Sequence, residues 1–188
     1  GFPNSGPSSI FVFRICSMGF QLAIPSNNLA PFVKSYWGMD HSFSPGKECL
    51  QRIVPNGLSE LIVYLGDLPE SMDPGKSITA HSLLSGQLKE YYDLKVSGHL
   101  SLFSIIFQTH GLMAFFVLPL RELFNQAVPL RFVLKDVVGE LEDRLFESST
   151  FERRKEIVED FLLKRIRKSR KKYEFERIHC SIEVINRA

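Results

Sequence analysis

Cysteine is scarce in this sequence: Cys16, Cys49 and Cys180 are odd in number and widely spaced. They form neither a disulfide framework nor a set at metal-ligand spacing, which argues against a small disulfide-stapled secreted fold and for reduced thiols in the cytoplasm. The five histidines, His41, His81, His99, His110 and His179, include no His-x-His pair. Two ligands on one strand face, the simplest route to a metal centre, are therefore missing, and no metal is expected. Long apolar runs are absent as well. The run at residues 10–16 is interrupted by Arg14 and falls far short of the ~20 residues of a membrane span. No charged segment precedes it, as a secretory signal requires, so no membrane partner is expected. A G-x-S-x-G elbow, a cysteine in a catalytic context and a glycine-rich phosphate cradle are all lacking, so no catalytic residue and no cofactor is assigned.

What is present is an ordinary globular composition with an uneven charge. The 188 residues are 44% apolar and 23% charged, enough for one well-packed domain with an appendage. Phenylalanine is abundant, with 16 residues against a single tryptophan. Net charge is +2, yet residues 151–188 hold 12 Lys/Arg against 7 Asp/Glu, so the preceding body is slightly acidic. Residues 164–172, KRIRKSRKK, are the densest basic run. They suit a tail lying near nucleic acid, or a solvated helix face balanced by Glu152, Glu156, Glu159 and Asp160.

The chain is organised around residues 53–67, IVPNGLSELIVYLGD. Pro55-Asn56-Gly57 is turn chemistry, since Asn and Gly tolerate positive φ. The run that follows is short and rich in β-branched and aromatic residues, which predicts a buried strand ending at Gly66-Asp67. Before it, residues 20–25 and a segment through Tyr36 and Trp37 read as strands, and residues 48–54 lead into the central one. After it, residues 78–84, 87–96 and 100–107 read as further strands, with Ser97-Gly98-His99 a tight connection. Beyond Phe107 the period changes. Thr109 is placed to cap a helix near His110, Pro119 ends or kinks it, and Val137, Leu141 and Leu145 share one face of a helix over residues 136–147. Ser148-Ser149-Thr150 breaks the pattern and caps a helix over residues 151–172 bearing Ile157, Phe161, Leu162 and Ile166, and residues 174–188 read as another.

The fold class expected is α+β: an antiparallel β-barrel over residues 20–109 followed by a helical subdomain over residues 110–188. Residues 1–19 are an N-terminal arm or extension, with Met18 a candidate native start.

An ordered series of motifs carries a resemblance. Pro25 and Leu29 precede Tyr36-Trp37; Pro55-Asn56-Gly57 leads into Glu60-Leu61-Ile62; Leu84 and Gly86 follow. Ile105-Ile106-Phe107 precedes Gly111-Leu112, then come Pro119, Glu122-Leu123 and Phe161-Leu162-Leu163. In this order the chain resembles the N-terminal sensor domain of AraC/XylS-type transcriptional regulators, in the DUF6597-like group. At the strand-to-helix junction it departs from the family pattern, with Gln108-Thr109-His110 where a proline often stands. The resemblance implies a cupin-like barrel that senses a small-molecule effector, helices that dimerise and link, and DNA contact only through a C-terminal helix-turn-helix domain expected to begin about where this chain ends.

Within that reading, Tyr36, Trp37, Tyr64, His81 and Phe107 are the candidate ligand-binding residues, because ligand-enclosing barrels line their pockets with aromatics and a few polar groups. Val137, Leu141, Leu145, Ile157 and Phe161 are the candidate homodimer interface. Glu60 lies on an apolar strand, and is expected to point outward or to make a structural hydrogen bond rather than to act as a tuned acid or base. The competing readings are a stand-alone cupin-like small-molecule-binding protein, a metal-dependent cupin enzyme using His81, His99 and Glu60, and a dimerisation module with a filled barrel.

Overall fold

A computed structural model describes residues 19–116, 120–134 and 137–168. The expected N-terminal arm up to residue 18, the C-terminal helix over residues 174–188, Pro119, and Cys16, Cys180 and His179 lie outside the described residues, as do residues 169–172 of the basic run.

Among the described residues, nine strands form two antiparallel sheets. The larger contains β1 (Gly19–Ala23), β2 (Val33–Ser42), β4 (Glu60–Tyr64), β6 (Ser82–Ser85), β8 (His99–Phe107) and β9 (Ala127–Pro129), in the order β1-β2-β8-β4-β6-β9. The smaller contains β3 (Glu48–Ile53), β5 (Glu70–Ser71) and β7 (Tyr92–Ser97), in the order β3-β7-β5. Five described helices follow the main run of strands: α1 (Leu112–Phe115), α2 (Leu120–Leu123), α3 (Leu130–Leu134), α4 (Val138–Phe146) and α5 (Phe151–Lys168). The α+β class is as expected, with antiparallel sheets. The closed barrel is not: the strands divide into two sheets facing each other.

That division follows from what each face of the larger sheet must cover. Along β8 every residue from Leu100 to Phe107 is buried, because both faces are packed. On β4, Leu61 and Val63 join a core shared with helices α1 to α5, whereas Tyr64 and Ile62 face a second core with Leu94 and Val96 of β7. A period-2 strand sandwiched between two layers buries both of its faces. The apolar run at residues 58–65 thus holds the interior strand that the sequence predicts, β4 (Glu60–Tyr64), lying between β8 and β6.

Local chemistry sets the turns. Gly57 has φ 72°, and the Asn56 side chain accepts a hydrogen bond from the Leu58 N–H at 2.9 Å. Gly98, at φ 67°, is the single residue between β7 and β8. The start of α5 is capped as expected: the Arg153 N–H donates to Thr150 Oγ1 at 3.2 Å. The first helix differs from expectation. It begins at Leu112 rather than His110, and Gly111 rather than Thr109 occupies the cap, with no side-chain hydrogen bond. Gly111 backs directly onto the Phe32 carbonyl, where a Cβ would come within 1.8 Å of the oxygen.

Beyond residue 109 the sheet continues, since β9 pairs with β6 (Leu83 with Pro129, Leu84 with Val128). Helices and sheet are therefore interleaved in sequence. Helix α5 lies against the sheet, with the Phe151 ring filling the space over Gly38, and Arg165 Nε donates to the Phe115 carbonyl at 2.7 Å.

Candidate functional site

Glu60 is the first residue of β4, and alternation along that strand puts Glu60, Ile62 and Tyr64 on the side of the smaller sheet. Opposite Ile62 on β8 stands Ser104, and opposite Ser104 on β2 stands Trp37. These three strands bring two donors onto one carboxylate oxygen. Trp37 Nε1 donates to Glu60 Oε1 at 2.7 Å, and the Ser104 hydroxyl donates to the same atom. Among the described residues no donor reaches Oε2.

The carboxyl lines a small cavity between the sheets, of about 40 Å³, together with Trp37, Tyr64, Tyr92, Gln51 and Leu94. That is room for a few waters or for one compact polar head. Ile62, Tyr64, Ser85, Leu88 and Tyr92 also line a neighbouring cleft of about 470 Å³, whose far side carries Asp73, Lys76 and Asn125. Lys76 is held there with its amine 4.9 Å from the Tyr92 ring centroid.

Electrostatically the cavity is one-sided. Burial pushes the Glu60 carboxyl from 4.5 up to about 7, against the opposing pull of the hydrogen bonds from Ser104 and Trp37. Tyr92 is raised to about 12, by burial and then by the charge of Glu60. Tyr64 is raised by burial, then by Tyr92 and Glu60, so both phenols stay neutral across the physiological range. Among the described residues, Glu60 is the one side chain lining the cavity that can change charge near pH 7, and no cationic side chain lines it.

A model for a domain of unknown function, DUF6597, matches residues 21–129, more than half of the chain. The chain belongs to the DUF6597 family. The match ends where β9 completes the larger sheet, so the DUF6597 region holds both sheets, the cavity and the first two short helices. No curated protein and no solved structure matches the chain.

Within the DUF6597 region, the structure divides the candidate ligand residues. Trp37 and Tyr64 line the cavity. Tyr36 and Phe107 do not; both lie on the opposite face of the sheet, in the core shared with the helices, where Tyr36 stacks on Phe103 and Phe107 packs on Phe115. Tyr36 is adjacent to Trp37 on β2, so strand alternation sends the two rings to opposite sides. His81 is exposed; its Nδ1 lies 2.8 Å from the Tyr64 carbonyl and its ring meets Phe146 edge-on. The residues of the metal reading are dispersed too. His99 pairs with Asp40 at 3.1 Å, His81 with the Tyr64 carbonyl, and Glu60 with Trp37 and Ser104. Among the described residues no three His, Cys, Asp or Glu side chains gather as a metal site needs.

The proposed interface residues are placed just as unevenly. Leu141, Leu145 and Ile157 are buried in the chain's own core, Phe161 is partly buried against it, and Val137 is exposed. Most of the stripe therefore packs against the chain's own core, and Val137 stands outside it. The sequence reading singles out none of Ser104, Tyr92 and Gln51; for Glu60 the expected structural hydrogen bond is present, while the outward orientation is not, since the side chain is buried. The one available signal was the i, i+2, i+4 spacing of Glu60, Ile62 and Tyr64. No described helix is long and apolar enough to cross a membrane.

Proposed function

We propose that this DUF6597 domain is the ligand-sensing part of an AraC/XylS-type transcriptional regulator in the cytoplasm, binding a small-molecule effector between its two sheets. The observation that carries this reading is the division of labour on the larger sheet. One face holds the Glu60–Trp37 cavity, and the other holds the helical layer, with Trp37 and Tyr36 as consecutive residues facing each side. A ligand that displaces β2 on the cavity face moves Tyr36 against α5, where Lys155 lies 5.9 Å from its ring and Glu159 Oε1 accepts from the Ser26 N–H at 2.8 Å. An effector shifts such an equilibrium only as far as it prefers one arrangement of sheet and helices over the other. The cupin-like ancestry of the two sheets and homodimerisation through the helices belong to the same reading, supported by the motif order quoted above.

The test is genetic and biochemical together. The open reading frame continuing past Ala188 is expected to encode two helix-turn-helix motifs, and its product to bind an operator in an effector-dependent way. The described part offers basic charge on α5 but no recognition helix, so the present chain is expected to show only weak, salt-sensitive DNA binding. A reading frame without those motifs ends the regulator reading and leaves a stand-alone small-molecule-binding domain.

A further inference from the structure

An uncompensated buried carboxyl is an unusual thing to keep between two sheets. Trp37 and Ser104 satisfy Oε1 alone, and no described donor reaches Oε2. The other described lining groups are apolar or uncharged, and three of them, Trp37, Tyr64 and Tyr92, are aromatic. Aromatic faces attract cations, and a buried carboxylate left without a counter-charge is costly. An ammonium group answers both conditions at once. The cavity, at about 40 Å³, admits such a head but not a whole ligand, and the cleft of about 470 Å³ that shares Tyr64, Tyr92 and Leu88 has room for the body.

We infer that the site takes a small organic primary amine, its ammonium head hydrogen-bonded to Glu60 Oε2 among Trp37, Tyr64 and Tyr92 and its body in the adjoining cleft. This rests on the reading of the cavity as an effector site and names the chemistry of the effector. A consequence is linked proton release. The unliganded carboxyl, raised by burial to about 7, is partly protonated at neutral pH, whereas the ammonium requires it ionised. Binding therefore expels a proton and tightens as pH rises through that value. The other titratable groups facing Glu60 are the phenols of Tyr64 and Tyr92, which stay neutral there; Asp73 and Lys76 stand at the outer cleft.

Calorimetry on the full chain decides it, with benzylamine, benzyl alcohol and benzoate as probes. Benzylamine is expected to bind at least about tenfold more tightly than benzyl alcohol, with benzoate weakest, as a hydrogen bond to a charged group predicts. Proton release is read from the dependence of the heat on buffer ionisation. Glu60→Gln is expected to abolish both the preference and the proton release, and Tyr92→Leu to weaken benzylamine severalfold. If Glu60→Gln fails to fold, proton release in the wild-type chain and the Tyr92→Leu variant still decide. Benzyl alcohol or benzoate binding as tightly as the amine, or amine binding without proton release, overturns the inference but leaves the pocket reading intact. No binding of any of the three at millimolar concentration, with the Tyr64 and Tyr92 resonances unmoved, overturns both.

Discussion

The indole of Trp37 reaches Glu60 across the strand that separates their own, donating to Oε1 over 2.7 Å from β2 past β8 to β4. Ser104, at the midpoint on β8, donates to the same oxygen. Three neighbouring strands thus converge on one atom, and the larger sheet is tied together by a carboxylate on the face that encloses the cavity.

Because Trp37 is the sole tryptophan, it reports on its partner. Its fluorescence is expected to change with pH about a midpoint near 7, the value to which burial raises Glu60. In Glu60→Gln this transition should vanish. A pH titration of emission in both proteins checks the assignment, and a transition unchanged by the substitution would assign it to another group.

Stability follows the same proton. The carboxyl titrates at 4.5 in the unfolded chain and at about 7 when folded, so the folded state binds the proton more tightly. Folding stability from this group is complete below the lower value and falls as pH rises through the interval, by at most about 3 kcal/mol. Urea denaturation of wild type and Glu60→Gln, at about pH 5 and about pH 8, is expected to show this slope only in the wild type.

Two glycines make a paired test of backbone packing. A Cβ on Gly86 would stand 2.0 Å from the Leu123 carbonyl oxygen, whereas one on Gly139 in α4 would meet nothing within 4 Å. Gly86→Ala is expected to cost about 2 kcal/mol or more, since backbone must move. Gly139→Ala is expected to stabilise by about 0.5–1 kcal/mol through helix propensity. Thermal melts of the two variants should therefore shift in opposite directions.

Leu145 is fully buried in the core between sheet and helices. Leu145→Ala is expected to destabilise by about 2–5 kcal/mol, as cavity-forming core substitutions do. The difference between variant and wild type should be the same at every protein concentration, because Leu145 packs inside the chain; a difference that changes with concentration would place Leu145 at a subunit interface instead.

Arg165 ties the far end of α5 to α1 through its bond to the Phe115 carbonyl, with its guanidinium 5.5 Å from the Phe116 ring and 5.7 Å from that of Phe161. Arg165→Ala is expected to cost about 1–2 kcal/mol, from the lost charged hydrogen bond and the lost packing. Hydrogen exchange should show the loss concentrated in α1 and the second half of α5; uniform protection would count against a local clamp.

The sequence by itself determined the strand run, its turns and the change of period after Phe107, because these are local matters. Asn56 and Gly57 make a turn through their own backbone freedom and side chain, and Thr150 caps α5 three residues away. Short elements such as β9 and α3 escaped notice, since three to five residues carry too little periodicity to read. The tertiary structure alone decided which face of each strand became the site. Alternation separates Tyr36 from Trp37, and Phe107 from Ile106, but both faces of the larger sheet are buried, so hydrophobicity cannot say which side holds helices and which holds a cavity. Whether nine strands close into one barrel or face each other as two sheets depends on pairings between residues as distant as Trp37 and Ser104. Those pairings also set the carboxyl of Glu60 between its two donors, and no local pattern encodes an encounter among three strands.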